Sequence, residues 1–154
     1  MSSQIITNNT MIKCNQSCAL PPATPVPDSG TFPMGAPGSL VVLPNNMGLS
    51  NKQPIANIND NKPNVNIMPF ASSCQSRANP TVISASAAAT AAALGVKMFV
   101  PAPCIPVIPA PWSVGSVSCK LKNLSLLMKD SKLNCAMGGI IEISNPAVQN
   151  VKNN

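Results

Sequence analysis

The residues of this chain that could do chemistry are mainly its cysteines, because the sequence contains six of them and neither histidine nor tyrosine. Three occur in turn-forming settings: Cys74 in Ser-Ser-Cys-Gln-Ser, Cys104 in Pro-Ala-Pro-Cys-Ile-Pro and Cys135 in Asn-Cys-Ala-Met-Gly-Gly. A buried structural cysteine more often lies inside an apolar run, where it packs as a small hydrophobic residue. Thiols held on turns therefore predict a cysteine-only metal site, and four thiolates suit a closed tetrahedral zinc site.

The spacing of the cysteines leaves the ligand set open. Only Cys14 and Cys18 come near a Cys-x-x-Cys pair, with one residue too many between them, so the other ligands must come from distant loops. The alternative interpretation is a set of reduced thiols without metal. The first residues have neither a basic start nor an apolar run, so no secretory signal is predicted. In a reducing cytoplasm, ligands or free thiols are expected rather than disulfides.

Catalytic side chains are scarce. The chain has no histidine and four carboxylates, none of which form a close pair in sequence, so acid–base catalysis lacks its usual groups. A cysteine nucleophile would lack a histidine base. A redox protein would need a reactive thiolate with a neighbouring cysteine, which no Cys-x-x-Cys motif provides. The sequence therefore predicts a protein that is not an enzyme.

Charge and composition narrow the class further. The net charge is +6, but the ten basic residues are scattered and include one arginine, with one tryptophan in the whole chain. Nucleic-acid binding is not expected, because stacking platforms and arginine clusters are missing. Contact with an acidic protein surface or anionic lipid stays open. The longest apolar stretch, 86–100, is mostly alanine and is interrupted by polar residues, so no membrane-spanning helix is predicted.

The elements that hold the cysteines are predicted to be short, since 17 prolines and 8 glycines interrupt the chain. With 45% hydrophobic but only 3% aromatic residues, the core should be thin. A mean hydropathy of +0.18 with 9% charged residues nevertheless favours folding. Strands are predicted at 11–13, 39–43, 117–128 and 139–143, with a hairpin-like pair across 55–67 that turns at Asp60-Asn61.

One helix is predicted, over 84–94, because alanine dominates the segment, a serine starts it and Gly95 follows it. The proline-rich segments 20–37 and 100–111 are predicted to be a connector and an extended stretch that cannot take a central place in a sheet. Segments 49–62 and 121–132 share a faint pattern that ends in Asp60-Asn61-Lys62 and Asp130-Ser131-Lys132. This pattern suggests a two-part internal repeat.

Several motifs, in order, give the chain a family resemblance. They are Pro-Gly-Ser-Leu-Val-Val-Leu-Pro at 37–44, Ala-Asn-Ile-Asn-Asp-Asn-Lys-Pro-Asn-Val-Asn-Ile-Met-Pro-Phe at 56–70, Cys74 with Ala-Asn-Pro-Thr at 78–81, Pro-Cys-Ile-Pro at 103–106 with Ala-Pro-Trp at 110–112, and Cys-Ala-Met-Gly-Gly-Ile-Ile at 135–141. Together they cover about residues 37–143. This set resembles the PAAR-like proteins that sharpen the spike of bacterial contractile injection systems, such as the type VI secretion system.

The resemblance implies a mainly β, cone-shaped domain that sits on a trimeric VgrG-type spike and holds a metal near its tip. Cys74, Cys104 and Cys135 match cysteine positions of the family. Cys14 is favoured as the fourth ligand, with Cys18 or Cys119 as substitutes. The implied metal is one structural zinc per chain, with iron as the alternative.

The domain organisation that we expect is a flexible arm at 1–12, a tip domain at 13–145 with a proline-rich inserted loop at 19–36, and a flexible tail at 146–154. One chain would cap a threefold spike, creating a symmetry mismatch, and would be driven through the target membrane, with effector cargo as a further partner. The protein would be made in the bacterial cytoplasm and exported when the sheath contracts. The alternative function is a cytoplasmic zinc-dependent interaction module or effector adaptor unconnected to a spike.

Overall fold

The structure is a computed structural model that describes residues 4–44, 49–50, 52–68 and 70–145. The described residues form a mainly β domain with one short helix, which confirms the predicted fold class. The tail at 146–154 lies outside the described residues. The elements are β1 Met11–Cys14, β2 Ser17–Cys18, β3 Val26–Pro27, β4 Gly38–Ser39, β5 Leu49–Ser50, β6 Gln53–Pro54, β7 Ser73–Cys74, α1 Pro80–Ala92, β8 Met98–Phe99, β9 Ala102–Pro103, β10 Lys120–Leu121, β11 Leu124–Ser125, β12 Lys132–Asn134 and β13 Ile140–Asn145.

The largest sheet has the order β12-β13-β1-β4. Strand β13 lies antiparallel between β12 and β1, and its register places Ile141 opposite both Leu133 and Cys14. Alternation along the strands sends Ile12, Leu133 and Ile141 into the core, where each is 1% exposed or less. Strand β1 of this sheet ends at Cys14, and strand β12 ends just before Cys135.

Three similar segments, 4–10, 54–60 and 125–131, close into a ring. Ile5 bridges Met128, Thr7 bridges Ile55, and Asn57 bridges Leu126, all antiparallel. The bridged triplets are 5–7, 55–57 and 126–128. The first residue of each triplet pairs with the third residue of another, so the three triplets form a closed cycle. Such a cyclic pattern is a pseudo-threefold arrangement within one chain.

The backbone hydrogen bonds of the ring follow the same rotation. The amide of Ile6 donates to the carbonyl of Leu127 at 3.1 Å, that of Leu127 to Ala56 at 3.0 Å, and that of Ala56 to Ile6 at 2.9 Å. A second set of hydrogen bonds joins the turn of each segment to the first residue of a neighbouring segment. These bonds run from Asn8 to Pro54, from Ile58 to Ser125 and from Lys129 to Gln4, at 2.9–3.0 Å.

The two faces of the ring bury different side chains. The middle residues Ile6, Ala56 and Leu127 are fully buried in the main core, which also contains Trp112 and Phe70. The residues that precede them point to the other face, as expected for extended backbone. There they form a second group, the ring-face cluster, made of Ile5, Leu126 and Met128 with partly buried Ile55, Cys119 and Leu121.

The ring corrects two sequence expectations. The suggested repeat is present in the structure, but its register differs by one residue, since Asp60 corresponds to Ser131 and not to Asp130. Each of these two side chains closes a turn: Asp60 accepts from the amide of Asn57, and Ser131 accepts from the amide of Met128. The third copy lies within the segment expected to be a flexible arm. Residues 5–7 and 10 are buried there, so the described part of that segment belongs to the fold.

Several predicted elements have different bounds. The strand at 11–13 is β1, and the strand at 139–143 is β13. The strand predicted at 39–43 is limited to β4, followed by a single bridge from Leu40 to Ile67. The predicted hairpin-like pair across 55–67 was wrong, since Ile55 and Asn57 pair with the other ring segments and Ile67 bridges Leu40. The predicted strand at 117–128 is the hairpin β10–β11.

The helix begins four residues before the predicted start. Asn79 caps it, because its side-chain oxygen accepts from the amide of Thr81 at 3.0 Å, and Pro80 follows at the first helical position. The Asn-Pro pair was the stronger start signal. The helix ends at Ala92, and Leu94 and Gly95 then adopt positive φ angles of 56° and 90°. No helix within the described ranges is long and apolar enough to cross a membrane.

The proline-rich segment packs against the rest of the domain. Strand β3 pairs with β8, and the Phe32 ring stacks on Phe99 at 4.5 Å between centroids. Both oxygens of Asp28 accept from the Arg77 guanidinium, at 2.7 and 2.9 Å. Strand β9 from the second proline-rich stretch takes an edge place in the sheet β2-β7-β9, as predicted. Segment and helix together form a side lobe with its own small core of Val82, Phe99 and Ala102.

Candidate metal centre

Four of the six cysteines line one cavity. Cys14 is the last residue of β1 and Cys74 the last of β7, while Cys104 and Cys135 directly follow β9 and β12. Each thiol is therefore placed where a strand gives way to a turn. The structure brings together the four residues expected as ligands, although they are spread over about 120 positions of the chain.

The cavity is small and lined mainly by apolar groups. Its volume is about 20 Å³, and its walls include Phe70, Ile105, Pro106 and Ile141. A volume of roughly 10–15 Å³ on this measure holds a single water molecule. The space therefore has the size for one ion and not for an organic cofactor.

Backbone amides are directed at three of the sulfurs. The amide of Val107 donates to Cys135 Sγ at 3.5 Å. Amides of Gln16 and Phe70 make the corresponding contacts with Cys14 and Cys104, and each lowers the pKa of its thiol. Such N–H groups stabilise a thiolate more than a thiol. Donors of this kind are the outer-shell contacts that orient and tune metal ligands.

Burial acts against ionisation of these thiols. The pKa of Cys14 is raised from an ordinary 9.0 to about 11, mainly by burial and to a smaller extent by the nearby thiols of Cys104, Cys74 and Cys135. The pKa of Cys104 is also raised, first by burial and then by Cys74 and Cys135. The thiols are thus close enough for their charges to interact. Without a cation, several of them cannot be ionised together at neutral pH.

The sulfurs do not yet form a coordination shell. Among the described residues, no group of three or more Cys, Asp or Glu side chains has a geometry that could hold a metal ion. Rotation about χ1 moves a cysteine sulfur between staggered positions without moving the backbone. Donor type, donor number, the N–H contacts and the cavity size all fit one zinc ion, and metal binding by the four residues stays a prediction.

The two remaining cysteines lie elsewhere. Cys18 is fully buried in β2, where it is paired with Ser73 of β7, and it does not line the cavity. Cys119 packs against the ring-face cluster, whereas Cys14 and Cys104 pack against the main core on the other side of the ring. Of the three candidates for a fourth ligand, Cys14 is therefore the one placed beside Cys74, Cys104 and Cys135.

The ring and the cavity are linked by the large sheet. Strand β1 leaves the first ring segment and β12 leaves the third, and they lead to Cys14 and Cys135. Four extended residues span about 13 Å. The ring-face cluster, the main core and the cysteine cavity thus follow one another along the molecule. Sequence inspection missed the first ring segment, whose signal was only two isoleucines before a polar turn.

Comparison with known proteins gives a family without a described function. No curated protein and no solved structure matches the chain. A family model described as a domain of unknown function, DUF4280, matches residues 6–147. The match spans the ring apart from Gln4 and Ile5, the side lobe and all six cysteines, so the chain belongs to the DUF4280 family.

Proposed function

We propose that this protein is the tip of a contractile injection spike: one chain caps the end of a trimeric VgrG-type spike and sharpens it for membrane puncture. The observation that carries the proposal is the pseudo-threefold ring. A single chain with three equivalent backbone segments offers similar contacts to three identical subunits. The expected symmetry mismatch between one tip and three subunits is thereby reduced.

The way in which such a tip would bind follows from the ring's composition. Its three segments differ in side chains, with Ile6, Ala56 and Leu127 at equivalent places, but they repeat the same main-chain bonds. Pairing between main chains requires little side-chain identity. Extension of a three-stranded spike end by backbone contacts is therefore compatible with one asymmetric sequence.

The cysteine cavity adjoins the main core, on the opposite side of the ring from the ring-face cluster, which suits a metal near the point. Cys14, Cys74, Cys104 and Cys135 would hold zinc, which would supply four cross-links between strand ends that are distant in sequence. Structural zinc contributes folding energy directly. A domain with 3% aromatic residues has few large side chains to supply rigidity by packing.

The deciding experiment is stoichiometry. The full chain is mixed with a purified trimeric VgrG-type spike protein from the same genome, and the complex is analysed by native mass spectrometry. One chain per spike trimer is expected. Three chains per trimer, or no complex, would contradict capping. Zinc binding without any spike complex would instead favour the zinc-dependent interaction module.

A further inference from the structure

We propose that the face of the ring that bears the ring-face cluster docks against an acidic surface. The spike end that this chain caps would carry carboxylates opposite two hairpins that contain lysines. This inference rests on the proposed function and adds the chemistry of the partner. The hairpins are β5–β6, at 49–54, and β10–β11, at 120–125.

Both hairpins are built into the ring. Strand β6 ends at Pro54 and β11 ends at Ser125, and these two carbonyls accept the ring hydrogen bonds from Asn8 and Ile58. The hairpins therefore enter the second and third ring segments in equivalent ways. Positive φ angles at their turns, 65° at Lys52 and 63° at Asn123, are those of tight two-residue hairpin turns.

The hairpins lie on the outward face of the ring. Leu121 of β10 packs against the ring-face cluster and not against the main core. The pseudo-threefold relation places β5–β6 equivalently. Leu49 of that hairpin is 66% exposed, which is a large apolar side chain left open to solvent.

The charge of this face is positive. Lys52, Lys120 and Lys122 are exposed, and neither hairpin contains an acidic residue. All four carboxylates of the chain lie outside the two hairpins. Asp28 pairs with Arg77, Glu142 pairs with Lys132, and Asp60 is buried in the second ring segment. The fourth, Asp130, lies in the turn of the third ring segment.

Other cationic residues of the chain do not reinforce the hairpins. Arg77 and Lys97 surround Asp28 on the side lobe, and Lys132 pairs with Glu142 on the large sheet at 3.1 Å. The two hairpins carry three of the ten basic residues of the chain and no acidic residue. Charges at an interface rim steer association and select the partner more than they add affinity.

The test compares two charge-matched variants in binding to the trimeric spike protein. The hairpin variant is Lys52→Gln with Lys120→Gln, and the control is Lys13→Gln with Lys97→Gln on β1 and the side lobe. Both lose two positive charges. At low salt we expect the hairpin variant to associate about fivefold more slowly and the control to change less than about twofold. Wild-type association should slow as salt rises and screens the charges.

Equal effects in the two variants, or association independent of salt, would overturn the acidic partner while leaving spike capping intact. The absence of any wild-type complex, at low or high salt, would overturn both. Vesicles containing phosphatidylglycerol serve as the competing probe. If the hairpin variant loses binding to these vesicles but binds the spike normally, the basic face is a membrane contact and the proposal is wrong.

Discussion

Gly139 lies directly against the sulfur of Cys14: a β-carbon built on Gly139 would fall 2.6 Å from Cys14 Sγ. Gly139 is buried, and its carbonyl accepts from the amide of Cys135 at 2.9 Å. The loop that carries one candidate ligand therefore sets the space that is left for another. Only glycine lets the two strand ends approach this closely.

Gly139→Ala should accordingly disturb the proposed metal site. The added methyl group must push the Cys14 thiol or the Cys135 loop aside, so we expect metal content, measured by elemental mass spectrometry, to fall clearly below one per chain. Gly95→Ala is the control, because nothing lies within 4 Å of a β-carbon there and only its φ of +90° causes strain. Control protein should lose stability but keep its metal; equal metal loss in both would contradict the close-approach argument.

Replacement of a proposed ligand should abolish the proposed zinc site. Cys104→Ser is expected to lower metal content from about one per chain to near zero and to lower the melting temperature strongly, since a structural metal supplies folding energy. Cys119→Ser, whose thiol packs on the ring-face cluster, should keep the metal. Unchanged stoichiometry in Cys104→Ser would remove that residue from the site.

The first ring segment should be essential for stability. Ile6 is fully buried, so Ile6→Ala should reduce the free energy of unfolding by about 2–5 kcal/mol, the usual cost of such a truncation in a core. Ile83→Ala on α1 is the matched control, because Ile83 is 55% exposed and its truncation should cost within about 0.5 kcal/mol. Chemical denaturation measures both. Similar small losses would mean that residues 4–10 act as an arm after all.

The side lobe should loosen in acid. The Arg77 guanidinium lowers the pKa of Asp28 from 3.8 to about 2, helped by the amide of Gly30. Since the pKa is depressed in the folded state, the stabilisation is fully present above about pH 4 and is lost as the pH falls towards 2. Asp28→Asn should cost about 1 kcal/mol or less at neutral pH, because Arg77 is half exposed.

The stability lost through Asp28→Asn at neutral pH should disappear in acid. Thermal unfolding of wild type and Asp28→Asn, followed from pH 6 to pH 2, is expected to give curves that converge as the pH approaches 2. A difference in stability that stays constant over this range would show that the ion pair with Arg77 does not hold the proline-rich segment in place.

Some of the candidate site could be predicted from residues alone. Turn-forming neighbours around Cys74, Cys104 and Cys135 indicated thiols at the ends of short strands, and β1 was expected just before Cys14. The choice of Cys14 over Cys18 and Cys119 could not be made from spacing. It depends on which strand ends meet in three dimensions.

The ring, in contrast, could not be predicted from the sequence. Its three segments share no more than apolar residues before a polar turn, because main-chain bonds define their equivalence and any side chain of suitable size is tolerated. A shift of one residue between Asp60 and Ser131 was enough to misplace the repeat, and the copy at 4–10 was missed. Backbone pairing between distant segments leaves little trace in a single sequence.

By itself, the sequence determined a mainly β protein with a thin core, one alanine-rich helix and cysteines on turns, since proline, glycine and alanine act locally on the backbone. Only the tertiary structure decided that Cys14, Cys74, Cys104 and Cys135 share one cavity, and that residues 4–10 close a threefold ring with 54–60 and 125–131. These relationships depend on contacts between residues far apart in the chain, which local preferences do not specify.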